Sequence, residues 1–239
     1  MAESVKEASV PKVPGIGVSN ERTLHSNIKE WYSLPGDRFE VKVDGYIVDL
    51  VRDFPGNELL LIEIQTGNFP AIRHKLKVLL NHRKVRLVYP VAKEKLIIKL
   101  NPAGQVISRR RSPKEGHPLD LFNELLRMPD VVNHENFSLE VLMVKVEEIR
   151  CADGKGSWRR GGVSIKDRRL LEVYERYEFN SRDDFIRFLP EDLPRPFSNK
   201  HLAQSLGRSV HVARKVTYCL KKIGLIREVG KKGNELLFE

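Results

Sequence analysis

The sequence predicts an α/β fold with a mixed sheet, followed by a small basic unit of helices and a hairpin. Helical and strand-like hydrophobic patterns alternate over the first hundred residues, in the order helix, three strands, helix, strand, strand. Two helices and two short strands around a KKGN turn end the sequence. Lys and Arg concentrate in that last part, where residues 195–239 contain ten of them against three acids.

Length, charge and cysteine content limit the classes of protein. The 239 residues, 41% of them hydrophobic, are enough for two cores. A net charge of +10 favours a polyanionic partner. Cys151 and Cys219 form no CxxC pair, which argues against a zinc site or a disulfide framework. No apolar run reaches transmembrane length and no signal-peptide pattern opens the chain, so we expect a cytoplasmic protein without a membrane partner.

The chain divides into four segments by composition. We expect a flexible tail at 1–18, where small and polar residues are mixed with Pro and Gly. A mixed-sheet domain is expected at 19–128, a β-rich connector at 129–180 and a helix-turn-helix unit at 181–239.

Turn signals and apolar spacing give the bounds of the individual elements. In the first domain they predict a helix over 19–32, a strand over 39–43, two strands flanking the turn 53–57, a helix over 70–81, and strands over 84–91 and 95–101. Further on they predict a loop over 102–117, a helix over 119–127, a strand over 138–150, a Gly-rich loop over 151–162, and a strand or helix over 163–180.

Two acids interrupt the apolar strands on either side of the Pro-Gly turn. Asp49 lies within YIVDLV and Glu63 within LLLIEIQT. A symmetric hairpin places them opposite each other, with Cβ atoms about 5 Å apart. Because two such carboxylates repel, Mg²⁺ or Mn²⁺ between them is the simplest ligand. The alternative is that they are merely edge polar residues or that they pair with Arg52 and Lys42.

These elements and acids resemble the core of the PD-(D/E)XK nuclease superfamily, which includes restriction endonucleases. The resemblance covers residues 17–91 and rests on Glu21, Asp49, Glu63 and Gln65. It implies a restriction-endonuclease-like fold in which Asp49 and Glu63 bind the metal and Glu21 assists. Gln65 stands where the family usually has a water-orienting Lys, and Lys75 in the next helix is a candidate source of the missing charge.

Two basic stretches lie in the middle of the chain. Arg109 to Arg111 are expected in a linker, where they would be solvated or contact phosphate. Trp158, followed by Arg159 and Arg160, would either stack on a base and grip a phosphate or pack over a hairpin end.

The last segment resembles the winged-helix family over residues 195–239, in the stretches SNKHLAQSLG and ARKVTYCLKKIGLI. The resemblance implies that its second helix enters the major groove of DNA and that the hairpin reaches phosphate or the minor groove. The implied DNA contacts are Arg208, Ser209, His211, Arg214, Lys215, Lys231 and Lys232. Winged helices also serve as protein-interaction modules, and the positive charge favours DNA.

Together these features predict a metal-dependent DNA-binding nuclease that hydrolyses phosphodiesters with Mg²⁺ or Mn²⁺. A DNA-binding regulator that keeps the nuclease fold without cleavage is the alternative, and Gln65 is the main argument for it. A third candidate is a protein-assembly module in which DNA binding is secondary. The sequence leaves open whether the chain forms a homodimer.

Overall fold

The computed structural model describes residues 23–56 and 58–239. Over that range the protein is a mixed α/β molecule with a seven-stranded sheet and a second sheet of three strands. The predicted α/β class is confirmed at this level. Glu21 and the predicted start of the first helix lie outside the described residues.

The large sheet has the strand order β1-β2-β3-β4-β6-β7, and β5 pairs with β4. Its strands are β1 (Arg38–Val43), β2 (Tyr46–Phe54), β3 (Glu58–Ile64), β4 (Lys84–Leu100), β5 (Val106–Arg111), β6 (Phe137–Cys151) and β7 (Ser164–Phe179). β4 runs parallel to β3 and to β6, whereas the other pairs are antiparallel. The sheet is therefore mixed, as predicted.

Helices cover both faces of the large sheet. They are α1 (Thr23–Tyr32), α2 (Arg73–Leu80) and α3 (Leu121–Leu125). On one face, Ile28 of α1 is buried in a cluster with Leu50, Ile62 and Val144. The opposite face is covered by α2 and α3, whose buried leucines belong to the larger core cluster. The two sides of β2 and β3 thus face different helices.

The β2–β3 hairpin has the predicted register. Leu50 pairs with Ile62 and Val51 with Leu61, in antiparallel orientation. Asp49 and Glu63 follow directly after these pairs on their strands. The hydrophobic pattern and the Pro-Gly turn were sufficient to fix this register because a one-residue shift would expose the buried side chains.

Three predicted segments need correction. The strands expected at 84–91 and 95–101 are one strand, β4, because an irregularity between Ala92 and Glu94 absorbs the polar AKEK stretch while pairing with β6 continues. Arg109–Arg111 lie in β5 instead of a loop, since the exposed side of an edge strand tolerates charge. The connector expected at 129–180 contains β6 and β7, which belong to the large sheet.

The C-terminal unit consists of β8 (Phe197–Ser198), α4 (Asn199–Ser205), α5 (Val210–Lys222), β9 (Glu228–Lys232) and β10 (Glu235–Phe238). β10 is the middle strand of its three-stranded sheet. The core of this unit is continuous with the core beneath α2 and α3. No helix in the described part of the chain is long and apolar enough to cross a membrane.

Candidate active site and basic C-terminal surface

Asp49 on β2 is held by hydrogen bonds from two other elements. Its Oδ2 lies 3.1 Å from Nε2 of His25 on α1 and accepts the backbone N–H of Ile64 at 2.8 Å. Burial acts to raise the pKa of this carboxyl, but these two hydrogen bonds outweigh it and hold the pKa below its usual range. Asp49 is therefore a fixed, ionised carboxylate.

Glu63 on β3 is more deeply buried, with 4% of the residue exposed. Nζ of Lys75, on α2, lies 2.5 Å from Glu63 Oε1. Burial raises the pKa of Glu63 to about 7; Lys75 lowers it and the neighbouring charge of Asp49 raises it further. Near neutral pH the carboxyl is thus poised between its protonated and ionised forms.

Lys75 reaches the acids from the helix that follows β3. The same Nζ donates a hydrogen bond to the carbonyl oxygen of Ile47 at 2.5 Å, so the ammonium is fixed between the two central strands. Its charge also acts on Asp49. The alternative in which Arg52 pairs with the acids is not observed, because Arg52 binds Asp37 with its Nη2 at 2.7 Å from Oδ2.

Gln65 points to the loop after β3 instead of the acid pair. Its Nε2 donates to the carbonyl oxygen of Gly67 and, at 3.4 Å, to that of Asn68. Because the amide hydrogens are directed to the backbone, Gln65 fixes the path of this loop.

The donor set is compatible with a hard divalent cation. Within residues 23–56 and 58–239, no three His, Cys, Asp or Glu side chains form a metal-binding group. Mg²⁺, however, commonly uses one or two protein carboxylates and completes its shell with water and substrate oxygens. Asp49 and Glu63 supply such a pair.

Asp49, Glu63 and Lys75, which the sequence pattern predicts as site residues, lie close together in the structure. His25 was missed. In the sequence it is one polar residue on an amphipathic helix, 24 positions from its partner, and only the packing of α1 on the sheet brings it to Asp49. Glu21 falls outside the described residues.

The predicted DNA contacts divide into two groups. Arg208, Ser209, His211, Arg214, Lys231 and Lys232 are exposed. Ser209 also caps α5, since its hydroxyl accepts the backbone N–H of Val212. Lys215 is turned to the large domain, where its Nζ donates to Asn123 Oδ1 at 2.6 Å. Lys215 therefore helps to dock α5 on α3.

One exposed stripe along α5 was only partly foreseen. His211, Arg214 and Tyr218 are exposed at helical spacing, and Nζ of Lys222 lies 5.9 Å from the ring centroid of Tyr218. The stripe thus combines cations with an exposed aromatic ring, opposite the face of α5 that packs on α4 and α3.

Fold and site thus define a class, a mixed α/β protein with two neighbouring acids in its sheet, one of them buried, and a basic unit packed against α3. The chain belongs to the family described as a domain of unknown function (DUF8091), whose profile matches residues 22–180. An uncharacterized protein of Treponema pallidum (strain Nichols) is 33% identical over 223 residues, covering 93% of this chain and 86% of the relative. That match necessarily includes most of the C-terminal unit. No solved structure matches the chain.

Proposed function

We propose that this protein is a divalent-metal-dependent nuclease that hydrolyses phosphodiester bonds in DNA. The observation that supports it best is the convergence of Asp49, Glu63 and Lys75, from β2, β3 and α2, at one place, the acid site. The order of elements around these residues is the order that the resemblance to PD-(D/E)XK nucleases implies, and it supports the proposal. A helix, three antiparallel strands, a second helix and a strand parallel to the third follow in the expected order.

Each residue has a distinct task in the proposed reaction. Phosphodiester hydrolysis needs an activated water and stabilisation of the charge that develops on the phosphate, and a bound Mg²⁺ or Mn²⁺ supplies both. Asp49 and Glu63 would hold the ion. His25 and the Ile64 amide keep Asp49 ionised and oriented. Lys75 would contribute the positive charge that Gln65 cannot, because the Gln65 amide is bonded to the next loop.

The C-terminal unit would bind the duplex as a winged helix. Its helix pair, its hairpin and the exposed stripe of α5 fit a helix that enters the major groove. Lys231 and Lys232 on β9 are exposed at the hairpin and would contact phosphate. The buried junction between α3 and α5 would hold bound DNA in a constant position relative to the acid site.

Cleavage of plasmid and branched DNA with Mg²⁺ or Mn²⁺ tests the catalytic proposal. Asp49→Asn and Glu63→Gln should each lower the cleavage rate more than about 100-fold, since loss of a metal ligand exceeds the 10–100-fold typical of outer-shell changes. Lys75→Met should lower it about 100-fold. Lys77→Met is the matched control, because Lys77 is exposed on the same helix. A chain that cuts no DNA form with either ion would contradict the proposal.

Duplex binding without a divalent ion tests the C-terminal unit. Arg214→Gln should weaken binding and lower the slope of log K against log salt by about 0.9. Arg227→Gln is the control in the same unit, since its Nη2 lies 3.4 Å from Glu239 Oε1, away from the stripe of α5. Equal effects of the two changes would contradict the winged-helix proposal.

A second candidate is a DNA-binding regulator that keeps the nuclease fold without cleavage. Gln65, at the position of the usual lysine and engaged with the loop backbone, favours it. Duplex binding that depends on Arg214, with no cleavage under any metal condition, would identify this function.

A further inference from the structure

A basic cleft lies on the large sheet, apart from the acid site. It has a volume of about 410 Å³ and is formed by β4, β5, β6 and the turn before β7. Among the described residues, its lining includes five cations, Lys99, Arg110, Arg150, Arg159 and Arg160, and no acid. The volume is within the range of small-ligand sites, about 300–1,000 Å³.

The strand register explains why the cations gather on one face. Lys99 of β4 pairs with Ser108 of β5 on one side and with Arg150 of β6 on the other, and Arg110 pairs with Ile97 in the next row. Paired residues project from the same face of a sheet. The irregularity between Ala92 and Glu94 shifts the alternation of β4 side chains between the two faces of the sheet. Lys99 therefore projects from the same face as Arg150.

Within the part of the chain that the structure describes, most of this charge is not neutralised. Arg150 binds Glu148, with its Nη2 2.6 Å from Oε1. Among the described residues, Lys99, Arg110, Arg159 and Arg160 form no ion pair; Arg160 donates only to the carbonyl oxygen of Val163. Four unpaired cations that converge on one cleft favour a ligand with several negative charges.

An aromatic side chain stands beside these cations. Trp158 is 84% exposed, and the Arg159 guanidinium lies 5.5 Å from its ring centroid. It does not pack over a hairpin end, which was one of its two predicted roles. Aromatic rings next to cationic grooves bind single-stranded nucleic acid by stacking on bases, whose faces are hidden in a duplex.

We infer that this cleft binds single-stranded nucleic acid, with the arginines and Lys99 on its phosphates and Trp158 stacked on a base. The inference deepens the proposed function, because it says that the nuclease would bind single-stranded nucleic acid in addition to a duplex. It rests on nucleic acid being the substrate. A duplex bound by the C-terminal unit and an unpaired strand in the cleft together describe a branched or end-opened substrate.

Binding of oligo(dT) of about 12 nucleotides to the full-length protein in EDTA tests the cleft. The Trp31→Phe protein leaves Trp158 as its single tryptophan, since the sequence contains two. We expect the Trp158 emission to be quenched at saturation. Trp158→Ala should weaken binding at least about fivefold, as expected for the loss of one stacked base.

Arg110→Gln and Arg109→Gln form a matched pair on one strand. Both side chains are exposed, but Arg109 pairs with Ile98 and projects from the opposite face. Arg110→Gln should weaken oligo(dT) binding at least about fivefold and lower the salt slope by about 0.7, whereas Arg109→Gln should change affinity less than about twofold. Thermal unfolding of both variants should match the parent, because neither side chain is buried.

Several outcomes would overturn the inference. They are an unchanged Trp158 emission at saturating oligo(dT), equal effects of the two arginine changes, or tighter binding of a duplex that depends on Arg110. Displacement of oligo(dT) by inorganic tripolyphosphate at equal phosphate concentration would reduce the cleft to a general anion site. The oligo(dT) titration is made in EDTA, where no metal-dependent cleavage occurs. A protein that cleaves no DNA can therefore still show this binding, and an active nuclease can lack it.

Discussion

Glu63 and Glu148 are both buried acids in the large sheet, and their surroundings move their pKa values in opposite directions. Glu148 on β6 is 1% exposed, and three cations surround it: Arg150 at 2.6 Å, Arg168 at 2.8 Å and Lys95 at 3.4 Å. Burial acts to raise its pKa, but the arginine hydrogen bonds lower it to about 2. Glu63 has Lys75 as its cation and a second acid beside it, and its pKa is about 7.

The contrast separates a structural acid from a candidate functional one. A carboxylate surrounded by cations is satisfied by the protein itself. A buried carboxyl beside another acid is held at a cost in stability, which is common where a protein binds a cation or transfers a proton. Substitutions at the two acids and at their partners should therefore differ in effect, and we expect the largest effect at Glu148.

Replacing Glu148 should destabilise the protein far more than replacing Glu63. Glu148→Gln leaves three cations without their common partner, and we expect a loss of about 4 kcal/mol in the free energy of unfolding. Glu63→Gln removes a carboxyl whose ionisation at pH 7 is opposed by burial, so we expect no loss and a gain of up to about 3 kcal/mol. Urea denaturation at pH 7 in EDTA measures both. Equal losses would remove the distinction between the two acids.

The pH dependence of stability should show Glu63 directly. Its folded pKa of about 7 exceeds the ordinary value of 4.5, so the folded state binds the extra proton and loses stability as the pH rises from about 4.5 to 7. The loss is on the order of 3 kcal/mol, at about 1.4 kcal/mol per pKa unit. In metal-free urea titrations, Glu63→Gln should remove this decline. If Glu63→Gln shows the same decline in stability, another titrating group causes it.

Glu148 should show the opposite dependence. Its folded pKa of about 2 lies below 4.5, so its contribution is complete above pH 4.5 and disappears as the pH falls to about 2. The free energy of unfolding should therefore fall more steeply from pH 5 to about 3 in the parent than in Glu148→Gln. Parallel curves would show that the cations do not stabilise this carboxylate.

Lys75→Met should destabilise the metal-free protein mainly at high pH. At pH 8 Glu63 is ionised beside Asp49, and without the ammonium we expect an additional loss of about 1–2 kcal/mol relative to pH 5. The bond from Lys75 to the Ile47 carbonyl is lost at both pH values, so the difference isolates the acid pair. Lys77→Met should show no such difference.

In the proposed nuclease reaction, His25→Ala should lower DNA cleavage about 10-fold, a typical result for a residue that orients a metal ligand. The histidine lies 3.1 Å from Asp49 and contributes to its low pKa. His25→Gln, which can still donate a hydrogen bond, should recover part of the activity. No loss in His25→Ala would show that the Ile64 amide alone positions Asp49.

The sequence was sufficient where local rules decide the structure. The β2–β3 register followed from a turn signal and from alternation, and it placed Asp49 beside Glu63. The two helices and the KKGN hairpin of the C-terminal unit followed in the same way from local hydrophobic spacing and a turn signal.

Features that depend on distant packing could not be predicted. The long β4 was divided in two because a bulge at a polar stretch has the same sequence signature as a turn. β6 is a central strand only because β4 extends beside it, which no local pattern indicates. His25 and the cleft of Lys99, Arg110 and Arg159 are likewise assembled from distant parts of the chain.

The most direct test of metal binding at the acid site is the anomalous difference density of Mn²⁺ in crystals of this protein. The account predicts a peak between the carboxylates of Asp49 and Glu63, about 2–2.5 Å from their oxygens, that is absent in Glu63→Gln crystals. An ion absent from this position at saturating Mn²⁺, with Lys75 still in contact with Glu63, would contradict the central claim that this acid pair binds a metal.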